Sequence, residues 1–150
     1  MTSQRGQGAV EIVLLAPLMM VLVFLIWEAG RIFGSWLLLT NAVREGARFA
    51  ITRNCDTFAS DPTIANQIRN RVSVTAQFLV VDATACTGSS SQNSCVNVTR
   101  GTSGSEAFAQ IYGMYRVFTL TPIAGTIPYL GSINYPGYME IRTYTTMRCE

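Results

Sequence analysis

Hydrophobic and polar positions divide the chain into two parts. No charged residue occurs from Ile12 to Trp27, Glu28 and Arg31 follow, and Ile32 to Val43 is again uncharged. Arg44, Glu45 and Arg48 then turn the chain amphipathic, with Val43, Ala47, Ala50 and Ile51 at helical spacing on the other side. No strong helix stop appears before Asn54, Cys55 and Asp56, so the pattern predicts one helix over 7–54. About 45 residues at ~1.5 Å rise span roughly 65–70 Å, whereas a bilayer core takes about 20 residues. The helix is therefore expected to be membrane-embedded over about 9–30 and packed under its own head domain above that. Pro17, inside the apolar run, removes one backbone hydrogen bond and is expected to kink or loosen the helix there.

The remainder, 55–150, reads as one small domain. Asp61 can cap a second helix with Pro62 in its first turn, and Ile64, Ile68 and Val72 set its apolar stripe over 62–75. Arg69 and Arg71 near its end suit the helix dipole. From Phe78 the period changes to that of strands. A strand from Phe78 to about Cys86, a polar loop over Thr87–Ser94 and a returning strand over Cys95–Thr99 are expected. Arg100–Ser105 reads as a turn, and Phe108–Thr121 as a β-rich segment interrupted by Gly113. The uncharged, proline-bearing stretch 122–137 reads as a loop over the sheet. Tyr138–Arg148, with Met139, Ile141, Tyr144 and Met147 as its apolar positions, reads as the last strand. The fold class is α+β: a long N-terminal helix, a short second helix and a small antiparallel sheet.

Composition narrows the function. The chain has 150 residues, of which 49% are hydrophobic and 13% charged, as suits a partly embedded protein. A net charge of +2 points to no nucleic-acid partner. All the basic residues are arginine, so a histidine-based triad, a histidine zinc site, a Schiff-base lysine and a Walker-type phosphate loop each lack an essential residue. No enzyme activity and no cofactor are expected. The four cysteines, Cys55, Cys86, Cys95 and Cys149, all follow the apolar run and read as two disulfides in an oxidising compartment. Four cysteines allow three connectivities. Closing a hairpin-like loop with Cys86–Cys95 would leave Cys55 and Cys149 to each other.

Met1–Gly6 is a short polar leader whose single charge, Arg5, predicts a cytoplasmic N-terminus and an extracytoplasmic head. The apolar run continues into a longer helix without a small-residue cleavage step, unlike a secretory signal peptide. Glu11 stands at the mouth of that run, where a carboxylate costs a few kcal/mol in lipid unless it is partnered. Glu28 and Arg31, three apart, can pair on one helix face near the outer interface, bracketed by Trp27 and Trp36.

Gly6 precedes Glu11 by five residues, and this spacing after a polar leader resembles a type IV prepilin processing site. The stretches RGQGAVEIVLLAPL (5–18), WEAGRIF (27–33) and LTNAVREGARFA (39–50) resemble the TadE-like pseudopilins of tight-adherence pilus systems, and the ending from Tyr144 is similar in style. The resemblance implies a pilin-like fold and a minor pilin or pseudopilin of a Tad-type pilus or secretion apparatus. It also implies cleavage between Gly6 and Gln7 by a prepilin peptidase, which would make 1–6 the removed leader. Glu11 would then pair with the terminal amine of a neighbouring subunit. Implied partners are that peptidase, other pilins or pseudopilins, the assembly platform and membrane lipid, at a bacterial or archaeal cell membrane. Two alternatives stay open: a major filament-forming subunit, and an uncleaved single-pass anchor carrying a binding head.

Overall fold

A computed structural model describes residues 4–52, 58–76, 79, 81, 83–87, 92–103, 106–118 and 138–149. In chain order these form helix α1 (Gln4–Ile51), helix α2 (Pro62–Thr75) and strands β1 (Ser94–Ser103), β2 (Glu106–Phe118) and β3 (Tyr138–Arg148). α1 and α2 cover one face of an antiparallel sheet of order β1-β2-β3. This is the α+β, pilin-like arrangement expected.

α1 runs as a single helix of 48 residues through Pro17. Its surroundings change abruptly along its length. Large apolar side chains from Val10 to Trp27, apart from the half-buried Leu25, are bare, whereas Leu39, Ala42, Val43, Ala47 and Ala50 are fully buried. The upper stripe is the one that the 3.6-residue period marks, with Arg44 and Arg48 turned outward. The helix ends at Ile51, slightly before the Asn54–Asp56 stop signal, which lies outside the described residues.

The second helix starts and stops as its sequence dictates. Asp61 accepts a 2.8 Å hydrogen bond from the Thr63 amide, and Pro62 occupies a position whose missing N–H costs nothing. Ile68, Val72 and Ala76 are fully buried against the core. Gly46 of α1 lets this helix come close: a Cβ there would stand 2.4 Å from Val72 Cγ2. Arg69 and Arg71 lie near the end of the helix, before its last turn, and their side chains reach sideways. Arg69 donates to the Val96 carbonyl at 3.3 Å, and Arg71 pairs with Glu45 at 3.2 Å. Both tie α2 sideways to its neighbours.

The sheet presents Val96, Val98, Ala109, Ile111, Val117 and Ile141 to the buried core. Gly113 does not interrupt β2 as expected, for it pairs with Val96 on one side and Thr143 on the other. Its lack of a side chain serves packing, since a Cβ would meet Val43 Cγ2 at 2.7 Å and Leu39 Cδ1 at 3.3 Å. α1 thus rests almost on the strand backbone.

Three further expectations are corrected. Of the segment expected to form a strand before Cys86, the described residues 81 and 83–86 are not in a strand. Leu79 and Val81 are buried, but the Val81 carbonyl accepts from Ser73 Oγ at 2.6 Å. The Thr84 carbonyl accepts from the Val96 amide at 2.9 Å. Residues Arg100 to Ser103, read as a turn, continue β1 because Glu106–Ala109 pair with them. Tyr144 in β3 is exposed, on the opposite face from Ile141, because the period of two separates 144 from 141. The stretch 122–137, read as a loop over the sheet, lies outside the described residues.

Candidate functional site

The bare part of α1 is the first candidate. Val10 to Trp27 spans about 26 Å at ~1.5 Å per residue, close to the ~30 Å hydrocarbon core of a bilayer. The helix is apolar and long enough to cross a membrane, and the part that qualifies is not covered by the rest of the molecule. Glu11 sits at the lower margin of this segment and is exposed. Gly6 and Gln7 lie in the helical backbone of the first turns of α1.

At the upper margin, chain segments far apart in sequence converge. Arg31 places its guanidinium over the Trp27 ring, 5.6 Å from the centroid, and donates through Nη2 to the Phe118 carbonyl at 3.3 Å. Both of these contacts are with groups other than Glu28. Glu28 is only 3% exposed, which makes it the most buried acidic side chain among the described residues. Trp27, Phe118 and Phe33 are more than half exposed around this point. From the sequence Phe118 reads only as part of the β-rich segment 108–121, because its place at Arg31 depends on where β2 ends relative to α1.

From this level upward an open groove of about 470 Å³ runs between α1 and β3, lined by Ala29, Ile32, Phe33 and Trp36 on the helix and by Met139, Ile141 and the charged Glu140 and Arg142 on the strand. With Leu37 also exposed, the outward side of α1 remains apolar beyond the length that a bilayer needs.

Besides the Glu45–Arg71 pair between the helices, the sheet carries ion pairs of its own. Glu140 accepts from Arg142 at 2.6 Å and lies 3.7 Å from the buried Arg116, which itself sits 4.6 Å over the Tyr138 ring. The hydrogen bond and charge of Glu140 hold the Arg142 guanidinium above its ordinary pKa. Arg148 pairs with Glu106. Among the described residues, no group of three cysteine or carboxylate side chains could hold a metal ion.

Cys86 and Cys95 form a disulfide with a Cα–Cα distance of 5.0 Å, pinning the irregular 83–87 segment to the start of β1. Cys149 is also disulfide-bonded, and Cys55, its expected partner, lies outside the described residues.

Residues 6–48 match the family model described as TadE-like protein. The match begins at the glycine of the candidate processing site, covers most of α1 and stops before α2 and the sheet. No curated protein and no solved structure matches the chain.

Proposed function

We propose, on the premise that the chain is TadE-like over residues 6–48, that it is a minor pilin or pseudopilin of a Tad-type pilus or related secretion apparatus. Its N-terminus lies in the cytoplasm and its head faces outward. A prepilin peptidase cuts between Gly6 and Gln7, and Glu11 then meets the terminal amine of a neighbouring subunit during assembly. The chain is a substrate and a structural subunit, not a catalyst.

The observation that carries this reading is the coincidence of the matched segment with a helix of two characters. Its lower part is bare and of bilayer length, and its upper part is built into a disulfide-bonded head. The exposed Phe33, Trp36 and Leu37 extend its apolar side past the bilayer, as suits a helix that packs beside others. Cleavage requires the first turn of α1 to unwind into the peptidase cleft. Gly6 eases this, since glycine is roughly 1 kcal/mol poorer than alanine in a helix.

The deciding experiment is the N-terminal mass of the protein taken from its native membrane. A chain beginning at Gln7 is expected. A chain that retains Gly6 and the residues before it would leave an uncleaved membrane-anchored head in place of a pseudopilin.

A further inference from the structure

The head hangs from α1 with its strands along the helix, and this decides which end of the sheet faces the bilayer. Going up α1, Arg31 meets Phe118, Thr40 Oγ1 lies 3.4 Å from Thr143 Oγ1, and Gly46 approaches Ile111. From Arg31 to Gly46 the helix rises about 22 Å, and from Phe118 to Ile111 an extended strand covers about 23 Å. The two lengths agree, so β2 descends alongside α1. Phe118 and its pair partner Tyr138 form the membrane-side end of the described sheet.

The height of that end follows from the anchor. With Val10–Trp27 filling the hydrocarbon, Arg31 stands about 6 Å above Trp27. The headgroup layer on each side is about 5–7 Å thick, so Arg31 and the sheet end it holds fall within it. Raising the anchor to Trp36 instead would lengthen the span to about 39 Å and draw Glu28 and Arg31 into hydrocarbon, which is costly for both.

The chemistry of this rim suits that layer. Trp27 is 54% and Phe118 58% exposed, with the Arg31 guanidinium joining the two chain segments. Arg116 covers Tyr138 in the same manner at the rim's other side. Rings with an apolar body, set among arginines, favour the boundary between acyl chains and phosphates.

We propose that this rim, Trp27, Arg31, Phe118 and Tyr138, is a membrane-seating surface whose partner is the phospholipid headgroup layer of the leaflet on the head's side. The head lies directly on the bilayer, with Phe118, on the sheet face turned away from α1 and about 6 Å above Trp27, entering the headgroup layer. The inference goes beyond the pilin reading and rests only on insertion of α1.

The test uses the full chain in phosphatidylcholine–phosphatidylglycerol vesicles carrying a nitroxide either near the headgroup or near the acyl terminus. The reporter chain combines Phe118→Trp with Trp27→Phe and Trp36→Phe. A matched control carries Tyr144→Trp in the same background, at an exposed site about 20 Å up the sheet by strand rise. A third chain, Trp36→Phe alone, reports Trp27 and therefore insertion. Each chain is first checked for the Cys86–Cys95 bond and native helicity. The Phe118→Trp reporter should be quenched at least twofold more by the shallow label than by the deep one, and at least twofold more than the Tyr144→Trp control. Quenching of Trp27 with Phe118→Trp no more affected than Tyr144→Trp would mean a head standing clear of the bilayer, and would overturn the proposal. Absence of quenching at Trp27 would overturn it too, by removing the anchor. If Phe118→Trp fails the folding check, amide exchange at 116–118 in the native chain decides. Slower exchange in vesicles than in detergent supports seating, and equal rates overturn it.

Discussion

At the scale of single residues, two glycines set how closely the helices approach their neighbours. Gly46 lies inside α1, five residues before its end at Ile51, where alanine would ordinarily be better by roughly 1 kcal/mol in helix propensity. Here the added methyl would stand 2.4 Å from Val72 Cγ2, and valine is stiff about χ1, so it cannot swing aside cheaply. Overpacking of this kind costs about 1–3 kcal/mol, and the packing term should win. Gly46→Ala is expected to lower the denaturation midpoint of the head, and the loss should shrink in a Val72→Ala background, as a double-mutant cycle by chemical denaturation would read. Equal losses in both backgrounds would show that the contact does not limit the approach. The motif that contains Gly46 was visible in the sequence, but the reason for the glycine was not, because Val72 lies a helix away. Gly113 misled for the same reason: within a strand pattern it reads as a break, whereas Val43 and Leu39 lie where its side chain would be.

At the scale of elements, legibility followed local chemistry. α2 appeared where Asp61 and Pro62 placed it, and β3 spans Tyr138–Arg148 as its alternation implied. What failed were inferences about pairing, which depend on partners far along the chain. Leu79 and Val81 are apolar because they cover the core edge, not because they join the sheet. The Gly- and Thr-bearing 100–103 stretch is a strand because β2 pairs with it. The irregular 83–87 segment is therefore held by few bonds of its own, among them the Thr84–Val96 hydrogen bond and the Cys86–Cys95 bridge. A loop with this sequence separation of 9 loses about 2.5–3 kcal/mol of constraint on the unfolded chain when opened. Replacing both Cys86 and Cys95 by serine should lower the head's unfolding free energy by about that amount. Urea titration with intact and substituted chains measures it, and an unchanged midpoint would mean that the bridge adds nothing beyond the β1 edge contacts.

At the scale of the whole molecule, anchor and head share one helix, so the boundary between them is not a boundary of the fold. Leu39, Ala42 and Val43 belong to the core as fully as Ile111 does. A chain beginning near residue 28 should therefore fold and stay in solution without lipid. One beginning near residue 45 loses those three core side chains and should not fold. Amide exchange of β2 separates the two cases, and protection in the shorter chain would show that α2 and the sheet form a core by themselves. The continuity of α1 through Pro17 to Ile51 also has a kinematic consequence. With no linker, the helix is a shaft and the head a pointer fixed to it. Sliding the shaft by one residue along a neighbouring helix, as a screw, moves the pointer about 1.5 Å along the axis and about 100° around it. The bearing of the head thus records the register of the anchor. A one-residue change in how the anchor is seated would turn a different side of the head to whatever lies beside it.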